Sequence, residues 1–181
     1  MSKSVRRDLF LLASAENLDE MCDLYETIEG RRHPMTPPST AHQRVLGNLF
    51  AQLARLARGM PYEVYLSMFE VRLDVQGQLN IVRPDIIVVD TSQVLDERGF
   101  SGIPALVVEV ITVETALRDR REKLHLYEQA GIARYWVVDP VYLTLQEFTF
   151  GQNRSHDACG PDAWVKVDAL DGSINLADVF L

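Results

Sequence analysis

The chain has 181 residues, 47% hydrophobic and 24% charged, which is the length and composition of one globular domain with a core of its own and leaves little room for two. Its net charge of −8 argues against tight, sequence-independent nucleic-acid binding, which depends on Lys and Arg neutralising phosphates, although an enzyme needs only a local positive rim. Cys22 and Cys159 lie too far apart for a disulfide framework, Leu9–Ala13 is too short a run for a signal peptide, and no apolar stretch approaches bilayer length. The expectation is a cytoplasmic protein with no membrane partner.

Residues 1–18 carry weak periodicity and are expected to form a weakly structured N-terminal segment, with a single domain over 19–181. Tyr25–Gly30 alternates apolar and polar residues before a glycine, which predicts a strand turning into a hairpin with Arg31–Met35. Pro37 and Pro38 stop it. Ser39 or Thr40 then caps a helix to about Arg58, with Val45, Leu46, Leu49, Leu53 and Leu56 at helical spacing. His42 lies in its first turn, where it either packs and caps or points across the sheet edge into a site. One or two strands over Tyr62–Asp74, a turn at Gly77 and a strand Ile81–Val89 follow, then a loop at Asp96–Pro104. A buried strand within Ala105–Thr112 precedes a helix from about Glu114 to Ala130, closed by Gly131. Ala116, Arg120, Lys123 and Tyr127 fall at steps of four, three and four and so share one face of that helix. Lys123 then either faces the sheet or only pairs with Asp119 on the surface, a contact worth about 0.2–0.5 kcal/mol. Ala133–Asp139 and Tyr142–Phe150 read as strands, Gly151–Ala163 as a loop, and the remainder as a short strand with a terminal turn or helix.

Two carboxylates stand out. Glu109 sits inside the apolar run ALVVEVIT and Asp85 follows Pro84 in IVRPDIIVVD. A charge among apolar neighbours must be paired, neutralised or bound to a metal. Asp85 with Glu109 is a chemically sufficient set for Mg²⁺ or Mn²⁺, which take hard oxygen ligands with water and substrate phosphate completing the shell. The plainer alternative makes Asp85 an exposed strand-start residue and pairs Glu109 with an arginine such as Arg83 or Arg120. If the two strands are neighbours, both carboxylates reach one cleft.

The series YETIEG, PPSTAHQRV, RPDIIVV, PALVVEVIT and RDRREKLHLYEQAGIARYWVVDP resembles, in order and spacing, the Uma-type restriction endonuclease family of the PD-(D/E)xK nuclease superfamily, widespread in bacteria. The resemblance covers roughly Tyr25 to Pro140 and implies an α+β, restriction-endonuclease-like fold: a central mixed sheet flanked by helices, with a metal site at one edge. It implies catalytic roles for Glu26, Asp85, Glu109 and Lys123, with Asp85 and Glu109 as ligands of Mg²⁺ or Mn²⁺. The superfamily's usual lysine two residues after the glutamate is replaced here by Ile111, and Lys123 matches the helix position that can substitute for it. Arg120, His42 and Thr112 are the expected substrate contacts, Thr112 keeping a hydroxyl where the family often carries SPST. The implied activity is metal-dependent phosphodiester hydrolysis of nucleic acid, DNA above all, by a chain that plausibly pairs as a homodimer to cut two strands. The alternative is a nuclease-like module that has lost activity and kept DNA or protein binding.

Overall fold

The computed structural model describes residues 24–93, 95–97, 99–151 and 155–181; the expectations for residues 1–18 and for Cys22 lie outside them. β1 (Tyr25–Ile28) and β2 (Arg31–Pro34) form the predicted hairpin, with Glu29 at φ 50° and Gly30 at φ 77° in its two-residue turn. Two successive positive φ values are what a twisted hairpin requires, and glycine in the second position adopts one without strain. α1 (Thr40–Ala57) begins at Ser39, whose side chain accepts from the His42 backbone N–H, and buries Val45, Leu46, Leu49 and Leu53. β3 (Tyr62–Leu66) and β4 (Glu70–Val75) follow.

The apolar run expected to be one strand over Ile81–Val89 is two: β5 (Gln78–Val82) and β6 (Ile86–Asp90), in different sheets. The break falls at Arg83-Pro84-Asp85, where proline has no N–H to give a ladder. β7 (Gly99–Ser101) is a short strand within the expected loop, and β8 (Leu106–Val110) is the buried strand carrying Glu109. The second helix is not uniform: α2 (Ala116–Arg118) runs into a π-helical turn (Asp119–Lys123) and then α3 (Leu124–Gln129). β9 (Arg134–Asp139) and β10 (Thr144–Thr149) match their predicted spans closely. The expected loop Gly151–Ala163 contains a further strand, β11 (Ser155–Cys159). The chain ends with β12 (Trp164–Val167), a 3₁₀ turn (Asp168–Leu170), β13 (Gly172–Asn175) and α4 (Leu176–Val179).

A six-stranded sheet, β11-β10-β9-β8-β6-β3, lies at the centre, parallel only between β8 and β9 among its pairs. A five-stranded sheet, β2-β1-β5-β4-β7, and the β12-β13 ribbon complete the β structure. Strand alternation sorts the central sheet's residues between two cores. Ile86, Val88, Leu106, Val108, Val110, Trp136 and Val138 pack with α1 and the ribbon. Ile87, Val89, Val107, Ile111, Tyr135 and Val137 face Ile28, Val71, Leu73 and Val82 of the other sheet, with Leu126 and Tyr127 of α3. Glu109 lies between Val108 and Val110 in sequence and so projects into this second layer.

Candidate active site

Glu109, Lys123, Glu26 and Asp119 meet at the floor of a cleft of about 450 Å³, which Asp85, His42, Ser67, Arg83, Arg118, Thr112 and Thr115 also line. All four floor residues are nearly inaccessible, with 2% of Glu26, 3% of Glu109, 3% of Asp119 and 4% of Lys123 exposed. Lys123 Nζ lies 2.8 Å from Glu26 Oε1, 2.8 Å from Glu109 Oε1 and 3.5 Å from Asp119 Oδ1. Glu109 Oε1 also accepts from the Tyr127 hydroxyl at 2.8 Å, and Glu26 Oε1 from the Arg83 backbone N–H at 2.8 Å.

Burial pushes the Glu109 carboxyl well above its ordinary range; Lys123 opposes this, while Asp119, Glu26 and Asp85 reinforce it. Burial likewise raises Asp119. Burial works against the charge on Lys123 too, but Glu109, Glu26 and Asp119 outweigh it and hold the ammonium well above the usual lysine value. Lys123 is therefore a fixed cation among an excess of carboxyl groups.

Asp85 occupies the chain's crossing from one sheet to the other, where the backbone leaves its side chain free to turn inward. Its Oδ2 accepts from the Val110 backbone N–H at 2.8 Å and lies 3.1 Å from His42 Nε2, while Oδ1 accepts from Ser67 Oγ at 3.0 Å. The β6–β8 pairing, Ile86 opposite Val108, brings it beside the Glu109 strand. Asp85 is thus not an exposed strand-start residue. Glu109 pairs with Lys123 rather than with an arginine, and the Arg83 guanidinium is held by Glu70 Oε2 at 2.9 Å and by the Tyr25 carbonyl.

Glu26, Asp85, Glu109, Lys123, His42 and Thr112 all line the cleft, and Arg120 does not. The Arg120 guanidinium bonds to Asp139 Oδ2 and Gln146 Oε1, each at 3.0 Å. Its expected place beside Lys123 assumed 3.6 residues per turn; in the π-helical turn, Asp119 and Lys123 point inward together and Arg120 is carried round to β9 and β10. Thr112 and Thr115 close the start of α2 reciprocally, each hydroxyl accepting from the other's backbone N–H at 3.1 and 3.3 Å. Sequence reasoning missed Ser67, Arg118 and Asp119 as lining residues. Asp119 is four residues before Lys123, so the i,i+4 pairing of the two was the available signal.

The oxygen-rich donor set suits a hard divalent cation. Among the described residues no three His, Cys, Asp or Glu side chains converge closely enough to hold an ion by themselves. An ion here would rest on two carboxylates, with water and substrate oxygen supplying the remaining positions, as Mg²⁺ commonly does.

Mixed sheets with few helices and an acid-floored cleft beside the crossing strand define a restriction-endonuclease-like nuclease fold. Among solved structures it is similar to that of "a putative nuclease belonging to DUF820" from Anabaena variabilis, with a TM-score of 0.74 over 91% of this chain and 96% of that one. The two sequences are 17% identical, so the likeness carries the fold alone. Residues 13–177 match the Uma2 family, described as "Putative restriction endonuclease", and the chain belongs to that family. No curated protein matches the sequence.

Proposed function

We propose that the chain is a metal-dependent nuclease that hydrolyses phosphodiester bonds in nucleic acid, with DNA as its substrate. The observation that supports this best is the excess of buried carboxyl groups over cations at the cleft floor, where Glu26, Glu109 and Asp119 surround one ammonium. Such a cluster is unfavourable unless a retained proton or further positive charge completes it, and a bound cation supplies the latter. Membership of a family described as restriction endonucleases points to the same chemistry.

Asp85 and Glu109 would hold Mg²⁺ or Mn²⁺, which when bound supplies a Lewis acid for the scissile phosphate and lowers the pKa of water. The Val110 N–H, His42 and Ser67 fix the Asp85 carboxylate, and Tyr127 fixes Glu109, so neither side chain has to reorganise as substrate arrives. Lys123, kept protonated by its neighbours, orients the attacking water or stabilises charge developing on the phosphate oxygens. Glu26 holds Lys123 in place. His42 and Thr112 act through what they position, His42 through Asp85 and Thr112 through the first turn of α2.

One feature favours the inactive-module alternative: Lys123 already engages oxygens of both Glu26 and Glu109. Titration calorimetry with Mn²⁺ and Mg²⁺ separates the two. Wild type should bind, and Asp85→Asn with Glu109→Gln should not; cleavage of DNA and RNA, with the oligomeric state measured alongside, follows from that result. A folded wild type that binds neither ion and cleaves nothing would sink the nuclease reading. The described residues contain no helix long and apolar enough to cross a membrane.

A further inference from the structure

We infer that Arg118 binds a phosphate of the substrate; this rests on the nuclease reading, since it names a contact to that reaction's substrate. Among the described residues, three Lys or Arg side chains line the cleft: Arg83, Arg118 and Lys123. Two are committed. The Arg83 guanidinium bonds to Glu70 and to the Tyr25 carbonyl. Lys123 is enclosed by Glu26, Glu109 and Asp119. Arg120, which helical spacing put on the face of Lys123, bonds to Asp139 and Gln146 outside the cleft.

Arg118 differs from all of these. Its side chain is 21% exposed and its Nη1 stands 3.9 Å from Glu26 Oε2, beyond hydrogen-bond distance. Among the described residues the guanidinium makes no hydrogen bond. The other oxygen of Glu26 is taken by Lys123 and the Arg83 N–H, so Arg118 faces the oxygen that those two leave. It sits in α2, whose start is closed by the Thr112–Thr115 reciprocal bonds. A guanidinium that is partly desolvated and held by one long ion pair to Glu26 is set up to take a phosphate bidentately, because no short hydrogen bond has to be broken first. In a chain of net charge −8, a cation over the acidic floor also offsets the repulsion a phosphodiester meets on entering.

The test is equilibrium binding of a fluorescein-labelled DNA strand and its duplex, followed by anisotropy over a salt series, in EDTA and again in calcium. Wild type is compared with Arg118→Met, Arg118→Lys and Arg121→Gln. Arg118→Met should bind about tenfold more weakly and flatten the slope of log K against log salt by about 0.9 for duplex and about 0.7 for single strand, one phosphate contact. Arg118→Lys should keep the slope and lose part of the affinity, having charge without the planar fork. Arg121, exposed and outside the cleft lining, should leave both nearly unchanged. Circular dichroism confirms folding; if Arg118→Met does not fold, Arg118→Gln takes its place. Wild-type binding with slope and affinity unchanged on losing the Arg118 charge would overturn this inference and leave the nuclease reading intact. No binding by wild type to either DNA would overturn the nuclease reading, and the inference with it.

Discussion

At the scale of residues, the cleft floor is a problem of charge compensation that Lys123 solves for three carboxyl groups at once. Replacing it with methionine keeps most of its volume and removes the only buried ammonium described there. Breaking a buried ion pair from one side costs about 3–5 kcal/mol, because the remaining charges are left uncompensated. Lys123→Met should therefore lower the urea midpoint at neutral pH by that equivalent. Glu109→Gln should cost less, since Lys123 keeps Glu26 and Asp119 and the Tyr127 hydroxyl keeps an acceptor. Melts showing the opposite order, with Glu109→Gln the more damaging, would refute this account of the cluster.

At the scale of elements, helix starts carry site residues. Ser39 caps α1 by accepting from the His42 N–H at 3.2 Å, and His42 in turn lies against Asp85. Ser39→Ala should cost about 1 kcal/mol in stability and lower activity several-fold by loosening His42, while Ser39→Asp restores both; activity that falls in Ser39→Ala without any loss of stability would show that the cap is not the link. α1 was legible because its cap and apolar spacing agree. The crossing at Arg83-Pro84-Asp85 was not, because apolar residues continue on both sides of it and only the pairing partners reveal two sheets. The helix over 116–129 was legible in extent but not in phase: a π-helical turn leaves the residues apolar and charged in the same order while changing which of them share a face, so Lys123 reaches the cleft and Arg120 does not. β11 was hidden by turn-forming residues on both sides of it, where pairing with β10 rather than local preference makes the strand.

At the scale of the whole molecule, the buried hydroxyls and the ammonium of the second core tie stability to pH. Burial raises the Tyr127 and Tyr135 hydroxyls well above 10.0, with Glu109 adding to both. Lys123 is raised well above 10.5, its carboxylate neighbours outweighing burial. In all three the folded chain keeps a proton that the unfolded chain releases above about pH 10, so the folded state binds more protons and stability must fall as pH rises. Their contribution is fully present below the unfolded values and is lost progressively towards the folded ones. Each retained proton contributes a slope of about 1.4 kcal/mol per pH unit, so three acting together give about 4 kcal/mol per unit. A domain of ordinary stability, about 5–15 kcal/mol, is exhausted within a few units. Urea melts in EDTA between about pH 9 and about pH 12 should show little change at first and a fall that steepens above about pH 10, as the unfolded-state values are passed, and tyrosinate absorbance from the buried pair should rise together with unfolding. Tyr127→Phe should reduce the slope by one proton's share. Both buried tyrosines ionising near pH 10 in a chain that stays folded would mean that the second core is open to water, and the closed acid floor built on it would fail as well.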